Sequence, residues 1–510
     1  MSGTTSFEPR TGSVAGTIAE TTKEELTRIL EQARTAAPRL AASPPTERSA
    51  WLYAIAEALE QQADELVEIA DRETALGEQR LTGEVARAAG QLRFYADVAA
   101  EGSYLDVTID DATVTSPRLV RVNRPIGPVA VFGASNFPFA FGLLGNDTAS
   151  AIAAGCPVIA KAHPAHVLLC ERLAELATTA LASTRAPEGT FAMVAGYEAG
   201  ASLVQADVIA AVAFTGSQSG GLALWRMAND RSTVIPVYAE MATVNPVIVT
   251  RGAASEMAKV AAGFVGSFTL GAGQFCTKPG LLFAPRGSRA AELVGDALVA
   301  AQPRPVMLTQ GIASAFNGGL GELIDAGAEV VRSVPGADAG WSVSATVLRV
   351  PINSLRVGSR FLEECFGPVA LIAEYDDVAE LRAALLELPG SLAASVIVDD
   401  DDDDDPDSGE IIDQVSGSVG RVIVNDWPTG VAFTWAQQHG GPWPATSNPT
   451  ATSVGAAALR RFVRPIAFQS VPDNRLPAEA QVSNPWRLPR RINGTLTPGD
   501  ETSGVTDRRE

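Results

Sequence analysis

Short apolar runs and helix-like apolar periodicities divide the chain into successive regions. Over residues 22–100 only the helical pattern occurs, and apolar side chains such as Ile55 and Leu59 recur at helical spacing. Thr22, followed three residues later by Glu25, is typical of a capping box, in which the threonine side chain binds a backbone N–H at the helix start. We therefore expect an α-helical packing layer that begins near Thr22.

Residues 104–124 change to a strand pattern. Apolar and polar side chains alternate over residues 104–109 and 119–122, and Asp110 and Asp111 lie between the two runs. This pattern predicts a β-hairpin. Because an isolated two-stranded ribbon is only marginally stable, we expect the hairpin to pack on something else, such as a second subunit.

Beyond Pro125, apolar strands alternate with helices. The first group of strands is predicted over residues 127–133, 157–161, 191–194 and 209–214, with helices over residues 141–154, 165–182, 198–205 and 220–228. The second group comprises strands over residues 237–240, 246–249, 280–284, 346–350, 369–373, 394–398 and 421–425, with a helix over residues 254–267. Strands that are apolar throughout and alternate with helices are typical of buried parallel sheets, whose carboxyl edge is the usual ligand site.

Composition narrows the classes of function. A chain of 510 residues is too long for one hydrophobic core and predicts two or three domains. The net charge of −20 argues against a nucleic acid or an anionic membrane as partner. The first residues lack the apolar core of a signal peptide, and no apolar run is long enough to cross a membrane, so we expect a cytoplasmic protein.

The cysteines and two polar segments have simple interpretations. The widely spaced cysteines indicate free thiols, and neither a disulfide frame nor a metal site is expected; they are Cys156, Cys170, Cys276 and Cys365. The carboxylates of Asp399–Asp405 repel one another and cannot all converge on one cation, so this run is interpreted as a solvated turn. Pro, Arg, Gly and Thr dominate from Pro485 onward, and the last ~15 residues are expected to form a disordered tail.

The stretch Leu270–Thr277 carries the strongest candidate for chemistry. It places Cys276 shortly after a run of small residues, Gly271-Ala-Gly273. Gly271 and Gly273 would leave an approach path free of bulk and bring backbone N–H donors near the sulfur, which suits a nucleophilic thiolate.

Several side chains could assist this thiol. Glu240 ends an apolar strand, where burial would raise its carboxyl pKa and suit it to proton transfer, although a structural ion pair is the commoner role of a lone glutamate. Asn136 follows another strand and could donate to an oxyanion, although an asparagine before Phe-Pro is often a turn former. A Cys/His hydrolase stays open, because distance in sequence does not exclude contact in space for the three histidines, which are His163, His166 and His439.

A phosphate group could bind where Thr215, Gly216 and Ser217 precede a predicted helix. The free N–H groups and the positive dipole end of a helix start attract anions. A plain helix cap by Thr215 or Ser217 is the commoner explanation, and the GxGxxG, Walker A and HExxH patterns are absent.

The order of these residues resembles the NAD(P)-dependent aldehyde dehydrogenase superfamily. The resemblance runs over residues 20–475 and rests most on Gly273-Gln-Phe-Cys276 and on Glu364-Cys-Phe-Gly-Pro368. It implies an α/β fold with a Rossmann-like cofactor domain, an α/β catalytic domain and a β-hairpin bridging (oligomerisation) element. The implied boundaries are residues 1–103 and 125–240 for the cofactor domain, 104–124 with part of 456–484 for the bridging element, 241–455 for the catalytic domain, and 485–510 for a partly disordered tail.

The resemblance also implies a role for each candidate. Cys276 matches the nucleophile, Glu240 the general base and Asn136 the oxyanion donor. The implied cofactor contacts are Lys161 at the adenosine ribose, Thr215, Gly216 and Ser217 at the pyrophosphate, and Glu364 and Phe366 at the nicotinamide ribose and ring. In the implied reaction an aldehyde forms a cysteine thiohemiacetal, loses a hydride to the nicotinamide, and leaves a thioester that water hydrolyses without help from a histidine.

Departures from the family pattern bear on the cofactor. Members that favour NAD often carry a glutamate three residues after the lysine, where it binds the adenosine 2′-hydroxyl. This chain has Pro164 there, with Lys161 and His163 nearby. NADP is therefore the expected cofactor, and NAD could also be accepted. In addition, Met241-Ala-Thr-Val-Asn-Pro replaces the Leu-Gly-Gly-Lys that follows the base in many members.

The same departures point to a subgroup. The segments Phe132–Pro138, Lys161–His166 and Gly441–Ser447 resemble those of 2,5-dioxovalerate (α-ketoglutaric semialdehyde) dehydrogenases, which implies oxidation of 2,5-dioxopentanoate to 2-oxoglutarate by a homodimer or a dimer of dimers. They also resemble an NADP-dependent fatty aldehyde dehydrogenase, so a medium- or long-chain aldehyde is an alternative substrate. A catalytically silent scaffold is a further alternative. A substrate carboxylate would call for a cation, and the sequence does not say which arginine supplies it.

Overall fold

The helical layer predicted for the first hundred residues is confirmed. A computed structural model describes residues 2–241, 243–399 and 406–499. A short antiparallel ribbon, which the sequence pattern did not indicate, precedes four helices: β1 (Gly3–Phe7), β2 (Val14–Ala19), α1 (Lys23–Ala42), α2 (Pro45–Gln61), α3 (Ala63–Thr74) and α4 (Glu78–Glu101). The Thr22 side chain accepts a hydrogen bond from the Glu25 N–H, as a capping box requires.

The predicted hairpin is also present. It consists of β3 (Val107–Asp110) and β4 (Leu119–Pro125), which pair antiparallel. Its alternating pattern buries Val107, Ile109, Val120 and Val122, so one face of the ribbon packs on the core.

The first parallel sheet has five strands in the order β7-β6-β5-β8-β9. Its strands are β5 (Val129–Phe132), β6 (Val158–Lys161), β7 (Phe191–Val194), β8 (Ala211–Gly216) and β9 (Val237–Met241). Its helices are α5 (Asn146–Ala154), α6 (Val167–Ser183), α7 (Tyr197–Gln205) and α8 (Gln218–Asn229). The helix expected from residue 141 begins only at Asn146, because the preceding chain turns so tightly that a Cβ at Gly142 would lie 1.9 Å from the Pro138 carbonyl oxygen.

The second sheet has seven strands in the order β12-β13-β14-β11-β10-β15-β16, and all neighbours are parallel except β12 and β13. Its strands are β10 (Pro246–Val249), β11 (Leu281–Pro285), β12 (Glu329–Val334), β13 (Ala345–Arg349), β14 (Val369–Tyr375), β15 (Ser391–Ile397) and β16 (Val419–Val424). The associated helices are α9 (Met257–Thr269), α10 (Ala290–Ala301), α11 (Gln310–Asp325), α12 (Val378–Leu386) and α13 (Pro406–Ser416). Apolar side chains on both faces of β11 and β14 are buried, as the sequence pattern predicted.

The chain end returns to the hairpin. The last strands are β17 (Val463–Gln469), β18 (Arg490–Ile492) and β19 (Thr495–Thr497), and they complete a sheet in the order β17-β4-β3-β18-β19. Part of the segment after Pro485 is thus ordered strand, which composition alone did not indicate. The predicted tail beyond residue 499 and the acidic run after Asp399 lie outside the described residues. Every helix in the described part of the chain is too short or too polar to cross a membrane.

Candidate active site

The carboxyl end of the first sheet and the cysteine loop border one cleft, which encloses about 640 Å³. Parallel strands end at the same edge of a sheet, so loops that are distant in sequence meet there. All ten site residues predicted from the sequence line this cleft: Asn136, Lys161, His163, Thr215, Gly216, Ser217, Glu240, Cys276, Glu364 and Phe366.

The cysteine loop is a tight turn at the end of α9. Gly271, Ala272 and Gly273 all have positive φ angles, of 56°, 60° and 68°. A Cβ at Gly273 would lie 2.4 Å from the backbone carbon of Gly367, so glycine is required there by the close approach of a neighbouring loop. The expectation that the two glycines clear a path to the sulfur is therefore wrong for Gly273, which packs against backbone.

Two asparagines hold this loop in place. The Asn136 side-chain nitrogen donates to the Gln274 carbonyl oxygen at 2.7 Å. The Asn245 side-chain nitrogen donates to the Cys276 carbonyl oxygen at 2.8 Å. Sequence reasoning did not identify Asn245, although its φ of 51° is a backbone conformation that asparagine tolerates better than most residues.

The sequence did not show whether any histidine contacts Cys276, and the structure places His439 there. Its Nε2 atom lies 3.7 Å from the Cys276 sulfur and 2.9 Å from Glu240 Oε1. The approach to the sulfur is aligned as a hydrogen bond, whereas Glu240 Oε1 has no aligned donor within the described residues, so the contact between imidazole and carboxylate is mainly electrostatic. The hydroxyl of Ser453 donates to Glu240 Oε2. The thiol, the imidazole and one carboxylate oxygen all lie within 4.8 Å of one another.

These contacts set the proton affinities of the two reactive groups. Burial raises the pKa of Glu240, but the imidazole of His439 and the hydroxyl of Ser453 outweigh burial, and the pKa ends below the ordinary carboxyl value. The expectation of a raised pKa for Glu240 is thus wrong. For Cys276, burial and then the Glu240 carboxylate raise the pKa well above that of a free thiol, so the sulfur must lose its proton to a neighbour before it can attack.

The residues of the cleft that were predicted to bind the cofactor are polar and suit a dinucleotide. Ser217 caps α8 by accepting the Gly220 N–H, and the start of this helix lines the cleft at Ser217 and Gly220. Burial lowers the pKa of Lys161, whose side chain reaches the cleft beside His163. Burial also holds the pKa of His163 well below its ordinary value, and its Nδ1 accepts the Ala165 N–H. His163 is therefore a neutral donor through Nε2 and adds no positive charge to the cleft.

Glu364 offers an unsatisfied acceptor in the same cleft. Burial raises the pKa of Glu364 to about 7, while the charge of Lys278 lowers it. Its Oε1 is buried without a donor among the described residues. A buried acceptor of this kind fits the hydroxyl groups of a ribose, which would supply the missing donors.

Comparison with known proteins also indicates an aldehyde dehydrogenase. The family model described as "Aldehyde dehydrogenase family" matches residues 2–443. The chain is 42% identical to alpha-ketoglutaric semialdehyde dehydrogenase 2 of Azospirillum brasilense over 96% of this chain and 94% of that protein. It is 38% identical to alpha-ketoglutaric semialdehyde dehydrogenase of Acinetobacter baylyi over 88% of this chain and 87% of that protein.

Solved structures agree on the fold. An aldehyde dehydrogenase C variant of Pseudomonas syringae, crystallised with NAD⁺ and octanal, superposes with a TM-score of 0.79 at 20% identity, covering 92% of this chain and 94% of that one. Such low identity establishes shared architecture and no more. The match of the family model over most of the sequence, with the relative at 42% identity, shows that this chain belongs to the aldehyde dehydrogenase family, the NAD(P)-dependent oxidoreductases that act on aldehydes.

Proposed function

We propose that the protein oxidises 2,5-dioxopentanoate to 2-oxoglutarate with NADP as the hydride acceptor. The observation that carries the chemistry is the meeting of Cys276, His439 and Glu240 within 4.8 Å of one another. The names of the two relatives at 42% and 38% identity support the choice of aldehyde.

The first role in this proposal belongs to the Cys276 sulfur, which attacks the aldehyde carbon. Its raised pKa means that a base must take the thiol proton, and His439 Nε2 and the Glu240 carboxylate both lie within reach. The sulfur–carbon bond then forms while the carbonyl oxygen gains negative charge. The second N–H of the Asn136 amide and the backbone N–H of Cys276 would stabilise that oxygen, an interaction worth about 3–4 kcal/mol in other enzymes.

The cleft residues fit a dinucleotide, as the unsatisfied Glu364 oxygen and the capped start of α8 indicate. Lys161 and His163 would hold the adenosine ribose, Thr215, Gly216 and Ser217 the pyrophosphate, and Glu364 and Phe366 the nicotinamide ribose and ring. A bound nicotinamide supplies the acceptor for the hydride that leaves the substrate carbon.

Glu240 would complete the cycle as the base that activates water against the thioester. Its lowered pKa keeps it ionised at neutral pH, and the Oε1 atom without an aligned donor can accept a proton from water. Ser453 fixes the carboxylate through the other oxygen, so the base is held in one orientation.

Preference for NADP rests on the loop after β6. Pro164 lines the cleft where a carboxylate would repel a 2′-phosphate, and Lys161 and the Nε2–H of His163 are the neighbouring donors.

The protein is further proposed to form a homodimer or a dimer of dimers through the sheet that contains β4 and β17. The domain boundaries implied by the family resemblance are proposed as well. Light scattering coupled to gel filtration checks the oligomeric state.

Substrate profiling tests the proposal. We expect kcat/KM for 2,5-dioxopentanoate to exceed the values for pentanal and hexanal at least tenfold, and the value with NADP to exceed that with NAD. A higher kcat/KM for hexanal would identify the enzyme as a medium- or long-chain aldehyde dehydrogenase instead. If no aldehyde leads to reduction of the nucleotide, the protein is a catalytically silent scaffold.

The contact of Cys276 with His439 supports a second candidate activity, the hydrolysis of activated esters without a nucleotide. A half-buried thiol beside an imidazole and a carboxylate has the parts that acyl transfer requires. Release of p-nitrophenol from p-nitrophenyl acetate in the absence of nucleotide, and its loss in Cys276→Ala, checks this activity.

A further inference from the structure

Two arginines from distant parts of the chain bind the same loop. Arg87 on α4 donates through Nη2 to the Val431 carbonyl oxygen at 2.5 Å. Arg421 on β16 donates through Nη1 to the Gly430 carbonyl oxygen at 2.5 Å and through Nη2 to the Pro428 carbonyl oxygen at 2.6 Å. The two guanidinium groups therefore converge on a segment of four residues.

This segment borders the catalytic residues. Val431 packs in a small apolar cluster with Phe141 and Phe137, and Phe137 directly follows Asn136. The ring of Phe141 lies 6.1 Å from that of His439. Burial has the largest effect on the pKa of each arginine and lowers it. The charged form of Cys276 acts in the opposite direction and raises the pKa of both, so both arginines lie within electrostatic reach of the sulfur.

Neither arginine is neutralised. In the described part of the chain neither one forms an ion pair, and the Nε atom of each is buried without an acceptor. The acidic groups that act on them are Glu84 for Arg87 and Asp426 for Arg421. Glu84 already accepts the backbone N–H groups of residues 139 and 140 through Oε1, and Asp426 is exposed.

Two partly buried cations without paired carboxylates are costly unless an anion completes them. Glu240 and Glu364 also lie near the sulfur, but Glu240 is already engaged by His439 and Ser453. An anionic substrate would supply the missing partner.

Arg80 is a poorer candidate for the same task. Its guanidinium lies 4.8 Å from the ring centroid of Phe137 and 5.0 Å from that of Phe275, and it donates to the Asn136 carbonyl oxygen at 2.5 Å. These contacts commit Arg80 to holding Asn136 and the cysteine loop.

We propose that Arg87 and Arg421 together bind the distal carboxylate of the semialdehyde while its aldehyde carbon lies at Cys276. The inference rests on the proposed function and names the residues that select an anionic substrate. Each arginine keeps one N–H without an acceptor, the Nε–H, and a hydrogen bond from a charged guanidinium to a carboxylate oxygen is stronger than one between neutral groups. The loop of residues 428–431 fixes both groups in advance, so little side-chain freedom is lost on binding.

The test compares a charged and a neutral aldehyde of equal length. For Arg87→Met and Arg421→Met we expect kcat/KM for 2,5-dioxopentanoate to fall roughly 10- to 100-fold while kcat/KM for pentanal stays within about threefold of the original enzyme. Arg87→Lys and Arg421→Lys keep the charge and should recover part of the loss. The matched control is Arg93→Met on the same helix, because Arg93 pairs with Glu60 at the surface and should leave both substrates unaffected.

The outcomes separate this inference from the proposed function. If the original enzyme favours pentanal, the proposed function fails and the inference fails with it. If the original enzyme favours the semialdehyde and the methionine variants keep that preference, the inference alone is overturned. Equal losses for both substrates, with lowered thermal stability and no recovery in the lysine variants, would also overturn it, since they would assign the arginines a purely structural role.

Discussion

The imidazole of His439 and the thiol of Cys276 are in contact, with 3.7 Å between Nε2 and Sγ, although 163 residues separate them in the sequence. Glu240 Oε1 lies 2.9 Å from the same imidazole nitrogen, so in the proposed role the histidine takes the thiol proton while the carboxylate stabilises the resulting positive charge. The proposed role of His439 therefore departs from the family resemblance, which implied a reaction without help from a histidine.

Replacing His439 should slow formation of the thiolate. We expect His439→Gln to lower both the rate of the pre-steady-state burst of reduced nucleotide and the rate of inactivation by iodoacetamide, each about 10- to 100-fold, because Cys276 then relies on Glu240 alone. Stopped-flow absorbance and timed alkylation measure the two rates. Cys170→Ala is the control: Cys170 contacts His166 at 3.3 Å but lies away from the cleft, so both rates should persist. An unchanged burst in His439→Gln would contradict the proton-transfer role.

Replacing Glu240 should affect a later step. Glu240→Gln keeps the shape of the side chain but cannot accept a proton from water, so we expect a retained burst followed by steady turnover slowed about 100-fold or more. Because the pKa of Glu240 lies below the ordinary carboxyl value, the original enzyme should keep its deacylation rate as the pH falls towards 5. Rapid-quench and steady-state kinetics across pH check both points, and an equal steady rate in Glu240→Gln would remove it as the base.

The general outline of the site was predictable because the apolar run that marks each strand is local information. Asn136 follows β5, Lys161 ends β6 and Thr215 lies near the end of β8, and the carboxyl ends of parallel strands meet at one edge. His439 was not predictable in this way, since it lies on an irregular loop that only tertiary packing brings to β9. The pKa of Glu240 was predicted with the wrong sign because the pattern revealed burial but not the donors that oppose it.

In the fold, too, features set by local sequence were predictable and features set by distant partners were not. The buried parallel strands and the helix cap at Thr22 follow from apolar runs and short-range spacing. The missed strands are largely exposed, and several are short, so the apolar pattern does not mark them; they are β1, β2, β12, β17, β18 and β19.

The glycine at position 273 should be required for stability. Gly273→Ala places a Cβ 2.4 Å from the Gly367 backbone at a φ of 68°, and we expect a loss of about 1–3 kcal/mol together with reduced activity. Gly266→Ala is the matched control, because Gly266 lies inside α9 with nothing within 4 Å of the methyl group that alanine would add, and it should gain about 0.5–1 kcal/mol. Denaturant unfolding measures both changes, and equal stability of the two variants would contradict this assignment.

Cofactor preference should respond to charge at position 164. We expect Pro164→Glu to lower kcat/KM with NADP about tenfold or more relative to NAD, because a carboxylate in the cleft would repel the 2′-phosphate. Pro164→Gln has nearly the same size without the charge, and any effect that it shares with Pro164→Glu reports the loss of the proline ring. Equal ratios of NADP to NAD activity in the two variants would show that the phosphate does not approach this loop.

Glu364 should make dinucleotide binding depend on pH near neutrality. Its pKa of about 7 means that the carboxyl is largely protonated at pH 6 and ionised at pH 8, whereas accepting two ribose hydroxyl groups requires the ionised form. Binding at pH 6 should therefore release a proton, and Kd should fall with rising pH, by up to about tenfold per unit below 7, before it levels off. Calorimetry in buffers of different ionisation enthalpy counts that proton. Glu364→Gln should abolish the release, and Glu363→Gln, at the exposed neighbouring position, should retain it; release that persists in Glu364→Gln would assign the titration to another group.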